Sequence, residues 1–309
     1  MSETVYDVVI IGGGPAGLTA GLYCSRARLN TLLIEKMILG GQVMITTDVE
    51  NYPGFPGGIT GPELMERFQT HCQEFGLQVT TGEVSTIVDE GKIKRIKTVD
   101  GDLLARAVII ATGASPRKLG IPGEKEMIGR GVSYCATCDG AFYRNVPVAI
   151  NGGGDTAVEE AMFLSRFASK VYLIHRRDQL RAVEVLQERL KANDKIEVLW
   201  NKTVQEAHGD NTGLTHLTLE DTQSGEQSTL ETTGLFVAIG VTPITHFLEG
   251  VVDLNDDGYV ITDTQCQTSV EGIYAAGDVR SGVLKQIATA VGDGATAAWV
   301  VEKFLSENN

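Results

Sequence analysis

The sequence predicts an α/β protein made of two similar strand–turn–helix units, the second spliced into the first so that the outer unit is discontinuous. Three observations carry this expectation. The run YDVVIIGGGPAGLTAGLYCSR near the start is echoed by VPVAINGGGDTAVEEAMFLSR from Val146. The segments VIIATGASP and LFVAIGVTP are near-repeats of an apolar strand followed by Gly and Pro, and they bracket an insert. At 309 residues the chain lies at the upper limit for one hydrophobic core, so two are favoured. The expected divisions are 1–114 and 242–309 for the outer unit and 115–241 for the insert.

In each copy a short β-branched run leads into a triple glycine and then a helix-period segment with small residues in its first turn. The first copy places Gly12, Gly14 and Gly17 in a GxGxxG pattern, with Pro15 and Ala16 between. The second places Gly152, Gly154 and Ala157 as GxGxxA, with Asp155 and Thr156 between. Such glycines permit a tight turn and close approach of backbone to a pyrophosphate, whose charge then sits on the helix N-terminus. A lone GxGxxG is weak. Here each copy follows an apolar strand and opens a helix, the context that makes it a Rossmann-like dinucleotide-binding unit.

The strands after the two motifs end differently. After the first, the strand TLLIEK carries Glu35 eighteen residues beyond Gly17, where a carboxylate can accept hydrogen bonds from ribose hydroxyls. After the second, VYLIHRR carries His175 at the same spacing, and Arg176, Arg177 and Arg181 come next. A ribose 2′-phosphate would be repelled by an acid and held by guanidinium forks, so the second copy reads as an NADP site. The first then holds a different dinucleotide. Asp278 in GIYAAGDV stands after a short apolar strand, placed to bond a polyol such as the ribityl chain of a flavin. The following KQIATAVGDGATAAWVVEKFL reads as a helix with small residues on one face, whose N-terminus could approach a ring system.

Composition bounds the alternatives. Hydrophobic residues at 42% and charged residues at 21% describe an ordinary globular chain. A formal net charge of −14 supplies no basic field for nucleic acid. No apolar run approaches the ~18 residues that span a bilayer, and MSETVYDVVIIGGG has no basic segment of a secretory signal. Five cysteines are too few for a disulfide scaffold, which points to a reducing cytoplasm.

Two of those cysteines, Cys135 and Cys138 in SYCATCDG, lie two residues apart with Asp139 directly behind. The pair could be half a zinc site, a redox disulfide or two inert core thiols. Zinc needs four ligands, yet Cys24, Cys72 and Cys266 are isolated in sequence and no His-x₃₋₅-His pair exists. A flavin to supply electrons beside an exchangeable Cys-x-x-Cys ring favours the redox reading.

GGGPAG, GGQ at 40–42, ENYPG, ATGASPR, CATCDG, GGGDTAVEEA, HRRDQLR and AAGDV together resemble the bacterial low-molecular-weight thioredoxin reductases, FAD- and NADPH-dependent disulfide reductases. The resemblance covers essentially the whole chain. Asn151, where an apolar residue is usual, and Lys285, where an arginine is usual, depart from it. It implies a homodimer, with thioredoxin or a thioredoxin-like protein as partner. It further implies that Cys138 faces the flavin, that Cys135 attacks the partner and that Asp139 is the acid–base group. Gln42 and Asn51 are implied near the isoalloxazine ring, and Gln286, Ile287 and Ala288 at its pyrimidine end. Because the cysteines fall in the insert, a rotation about connections near Ala114–Arg117 and Gly240–Pro243 is expected between half-reactions. Arg130, just before the pair, is a candidate for docking an acidic partner face. The flavoprotein of alkyl hydroperoxide reductase shares this core but normally adds an N-terminal thioredoxin-like module, whereas here the first strand begins at residue 6. Ferredoxin-driven relatives tend to lose the basic cluster, and a flavin-binding scaffold without turnover would need no CATCD.

Overall fold

A computed structural model describes residues 4–46, 49–282 and 284–308. The outermost ends of the outer unit's segments, residues 1–3 and 309, lie outside the described residues. The chain forms two compact units, dividing after Ser115 and again after Val241.

The outer unit is built on a seven-stranded sheet. Strands Gln78–Thr81, Thr31–Glu35, Val5–Ile11 and Gly101–Ile110 run parallel in that order. The last of these is long enough to serve two neighbours on its far side. Its first half pairs antiparallel with Lys94–Thr98, which continues to Val84–Asp89; its second half pairs parallel with Ile273–Ala275. Val8, Val9 and Ile10 are fully buried, as expected of a β-branched run covered on both faces. Helices Pro15–Arg26 and Ile287–Glu307 cover one face, and small residues let them approach. A Cβ on Gly294 would strike the Ala16 carbonyl, and one on Gly277 would come within 2.9 Å of the Ala16 methyl.

The inserted unit carries a five-stranded parallel sheet in the order Ile196–Trp200, Lys170–His175, Pro147–Gly152, Gly234–Ala238 and Val132–Ser133. An antiparallel meander, Lys202–Asp210, Gly213–Asp221 and Gln227–Glu231, completes it. Helix Asp155–Leu164 packs Ala157, Val158, Ala161 and Leu164 into this unit's core beside the fully buried Phe236. The two chain crossings, Ala114–Pro116 and Val241–Pro243, pair as a two-stranded ribbon.

Candidate active site

The strand Val132–Ser133 is the edge of the inserted sheet, in register with Leu235 and Phe236. It delivers the chain into Tyr134, Cys135 and the short helix Ala136–Asp139. Cys135 and Cys138 form a disulfide with their Cα atoms 5.3 Å apart. Cys135 Sγ caps the helix, accepting the Cys138 N–H at 3.2 Å. After reduction the same donor favours negative charge on Cys135, because a hydrogen bond to the charged form stabilises it. The other cysteines, Cys24, Cys72 and Cys266, are buried free thiols, and burial pushes those of Cys24 up to about 12 and of Cys72 and Cys266 to about 11. Among the described residues no group of three or more metal-ligating side chains converges.

Three polar residues around the pair had no signal in the sequence. Ser133 Oγ lies 2.6 Å from Asp139 Oδ2 and accepts the Cys135 N–H at 3.1 Å. Glu124, only 3% exposed, accepts the N–H groups of Leu119 at 2.9 Å and Gly120 at 2.7 Å and the Tyr134 hydroxyl at 2.9 Å. It thereby braces the residue next to Cys135, and burial together with this carboxylate holds the Tyr134 hydroxyl above the usual tyrosine range. Glu160, on helix Asp155–Leu164, accepts the N–H of Ala136 between the cysteines. Their partners lie up to 24 residues away, so spacing alone could not reveal them. Arg130 is exposed and its Nη2 donates to the Asp210 carbonyl at 2.7 Å.

Burial raises the Glu160 carboxyl from 4.5 to about 7, against the opposing Ala136 N–H. A carboxyl that binds its proton more tightly when folded contributes stability that is complete below about pH 4.5 and gone once pH has risen through about 7. Glu160→Gln keeps an acceptor for Ala136 without the buried charge. It is expected to stabilise the protein relative to wild type at pH 8, by at most about 3 kcal/mol at about 1.36 kcal/mol per pH unit, and little at pH 4.5. Urea unfolding at the two pH values checks this; an equal difference at both would refute it.

In the outer unit several of the predicted residues lie at or beside the first glycine turn. Gly12 has φ +105°, and a Cβ there would strike the Ala111 carbonyl; one on Gly17 would strike the Gly12 carbonyl. A Cβ on Gly14 would meet nothing within 4 Å, so space lies open over the first turn of the helix that Pro15 begins. Glu35 Oε2 accepts the Gly13 N–H at 2.7 Å and Oε1 that of Met37 at 3.0 Å, which fixes the carboxylate beside the turn. Gly40 N–H bonds the Gly13 carbonyl at 2.7 Å, bringing the exposed Gln42 on the turn Gly41–Ile45 to the same edge. Asn51 Nδ2 donates to Gln286 Oε1 at 2.9 Å across 235 residues of sequence. Gln286 caps the last helix through reciprocal bonds with Thr289, leaving Ile287 and Ala288 in its first turn. Asp278, in the turn Gly277–Val279, is half-buried, and burial raises its carboxyl against the pull of Lys285. Lys285 Nζ bonds the carbonyls of Asp278 at 3.0 Å and Arg280 at 2.7 Å, so this departure from the usual arginine still ties the turn down. A glycine turn open on one side, a fixed carboxylate and a half-buried acid fit a dinucleotide with a polyol arm.

In the inserted unit Gly154 likewise faces open space, while Gly152 and Ala157 close the turn from below. Asp155 Oδ1 accepts the Val183 N–H at 2.8 Å, and Thr156 beside it is exposed. His175 is only 6% exposed, with Nδ1 2.8 Å from the Gly152 carbonyl and Nε2 2.9 Å from that of Gln179. It props the turn from beneath, and a Cβ on Gly153 would run into its ring. Arg176, Arg177 and Arg181 are exposed, and the Arg181 N–H bonds the Gly153 carbonyl at 2.7 Å. This places a cationic rim beside a glycine turn, the chemistry a phosphorylated ribose requires.

Residues 6–294 match the family described as pyridine nucleotide-disulphide oxidoreductase. The thioredoxin reductase of Bacillus subtilis (strain 168) is 50% identical over 305 residues, covering 99% of this chain and 96% of that protein. The bifunctional thioredoxin reductase/thioredoxin of Mycobacterium leprae (strain TN) is 48% identical over 99% of this chain and 67% of its own length. Among solved structures, the thioredoxin reductase of Streptococcus pyogenes MGAS5005 is 44% identical with a TM-score of 0.96, covering 99% of this chain and 100% of that one. That of Lactococcus lactis, described as the FR conformation, is also 44% identical, with a TM-score of 0.68 over 98% of this chain and 99% of that one. Likeness at this level along nearly the whole of both chains admits one assignment: the chain belongs to the pyridine nucleotide-disulphide oxidoreductase family and, within it, to the thioredoxin reductases.

Proposed function

We propose that this protein uses NADPH to reduce the disulfide of thioredoxin or a thioredoxin-like protein, with FAD held by the outer unit and NADPH by the insert. The observation that carries the reading is the Cys135–Cys138 disulfide seated on the same unit as the arginine-rimmed glycine turn. FAD, when bound, supplies the two-electron link between nicotinamide and disulfide. Gly12, Gly14 and Gly17 with the N-terminus of Pro15–Arg26 would hold its pyrophosphate, Glu35 its ribose and Asp278 its ribityl arm. Asn51, Gln42 and the turn Gln286–Ala288 would border its ring. Gly152, Gly154 and Ala157 would receive the second pyrophosphate, and the three arginines the 2′-phosphate.

The dithiol then acts on its own. Cys135 thiolate attacks one partner sulfur, the partner disulfide breaks, and Asp139 protonates the departing thiolate. Cys138 gives its proton back to Asp139 and attacks Cys135, re-forming the internal disulfide and releasing the partner's second thiolate. The electrons balance: two thiols are oxidised and one partner disulfide is reduced.

A cysteine pair and a nucleotide turn on one body cannot easily serve one flavin from the same orientation, so the reading includes rotation about the paired crossings. Rotation is consistent with a solved relative, 44% identical to this chain, that is described as the FR conformation. A relative named as reductase and thioredoxin in one chain supports the choice of partner. The reading includes a homodimer and a cytoplasmic setting; among the described residues no helix is long and apolar enough to cross a membrane.

The test is NADPH oxidation by the purified flavin-loaded protein with a panel of thioredoxin-like proteins, under identical conditions. Rapid oxidation that depends on one or more of them is expected. NADPH consumption that no thioredoxin-like disulfide accelerates would overturn the reading.

A further inference from the structure

We propose that Ser133 is a positioning residue for Asp139: its hydroxyl ties the Asp139 carboxylate to the main chain of Cys135, so that proton carrier and attacking sulfur are held as one body. The proposal rests on the reading of Asp139 as the acid–base group. Ser133 Oγ is 2.6 Å from Asp139 Oδ2 and 3.4 Å from the Cys135 carbonyl, and it accepts the Cys135 N–H at 3.1 Å. A hydroxyl has one hydrogen and cannot donate to both oxygens. The shorter contact takes it, and the Cys135 N–H occupies a lone pair, so the rotor is fixed toward Asp139. Ser133 is only 5% exposed, which keeps water from competing for either bond.

The rigidity has a source. Ser133 ends a strand paired in register with Phe236, which is fully buried in the inserted core. The path therefore runs from a packed sheet through one hydroxyl to the carboxylate, without a flexible link. Asp139 closes the other side, its N–H bonding the Cys135 carbonyl at 3.1 Å. Other titratable groups around this helix are Tyr143, raised to about 12 chiefly by burial and then by the Asp139 charge, and Glu160, which holds the Ala136 N–H. During exchange Ser133 keeps its proton. Protons pass between the thiols, Asp139 and the partner's sulfurs, and Ser133 fixes where the carrier stands.

The experiment is a double-mutant cycle in the full-length, flavin-loaded protein, with an oxidised thioredoxin as substrate. Ser133→Ala is expected to lower kcat about tenfold, as for loss of a hydrogen bond to a charged group, with KM changed less than about twofold. Ser133→Thr keeps the hydroxyl and is expected to restore most of the rate. NADPH bleaching of the flavin should be equal in wild type, Ser133→Ala and Ser133→Thr. In an Asp139→Asn background, removing the Ser133 hydroxyl should cost nothing further, because the group it positions no longer carries a proton. Undiminished kcat in Ser133→Ala, or losses that multiply in the double variant, would overturn the proposal; multiplying losses with a lowered melting temperature would mark Ser133 as merely structural. Wild-type turnover by Asp139→Asn alone would instead overturn the acid–base reading, and this proposal with it.

Discussion

Serine at either position 135 or 138 is expected to abolish reduction of a protein disulfide while NADPH still bleaches the flavin at the wild-type rate. The flavin step precedes any chemistry at sulfur in the proposed order, so it needs neither thiol. Disulfide exchange needs both, and loss should be on the order of 10³-fold or more, as for removal of a covalent nucleophile. The two variants differ in what they trap. Cys135 carries the Cys138 N–H on its sulfur and is the thiolate this geometry favours. Cys138→Ser therefore leaves an attacking Cys135 with no thiol to resolve the mixed disulfide, and partner should accumulate as a covalent, reductant-sensitive adduct. Cys135→Ser should trap far less. Stopped-flow absorbance and non-reducing gels read both outcomes. If either variant lost flavin bleaching, the two-stage order would be wrong; if Cys135→Ser trapped the partner, the roles of the two sulfurs would be exchanged.

The parts of this molecule legible in its sequence are those whose cause is local. Gly12 and Gly17 must be glycine because a Cβ on either would strike a backbone carbonyl, and the chain pattern that creates the crowding is the motif itself. Glu35 is readable because a parallel strand of known rise ends beside the turn, at the height of Gly13. The arginine rim is readable because it occupies the corresponding place after the second strand. Asn51 and Gln286 are another matter. Their bond spans 235 residues, and only the family pattern implied that both border one ring. Ser133, Glu124 and Glu160 lay beyond either approach. Each owes its role to a tertiary meeting: a sheet edge against a four-residue helix, a loop carboxylate against Tyr134, one helix against the N–H of Ala136. Serine and glutamate are common surface residues, and no spacing rule separates a buried acceptor from a solvated one. His175 illustrates the converse. Its spacing suggested a nucleotide contact, and its ring bonds two backbone carbonyls beneath the turn.

The exposed rim sets the second large effect. Arg176 and Arg177 follow the strand Lys170–His175 directly, and Arg181 is tied by its N–H to the Gly153 carbonyl, so all three border the second glycine turn. Each charge-assisted contact to a 2′-phosphate should contribute about 1.5–3 kcal/mol before discounting for exposure. At 1.4 kcal/mol per factor of ten, NADPH should be preferred over NADH by at least about tenfold. Exposed charges are screened within roughly 8–10 Å at ordinary salt, so the preference should shrink as ionic strength rises. Replacing Arg176 and Arg177 together with glutamine is expected to raise KM for NADPH about tenfold or more, at 1.4 kcal/mol per decade, and to leave the value for NADH nearly unchanged. KM for the thioredoxin-like substrate should not move, because the Arg176 and Arg177 rim follows strand Lys170–His175, and the dithiol follows the edge strand Val132–Ser133, three strands away in the sheet. Steady-state kinetics with both nucleotides at two salt concentrations tests each part. Equal use of NADH by the wild-type enzyme, or undiminished discrimination in the double variant, would remove these arginines from the nucleotide site and leave the cationic rim an ordinary solvated surface.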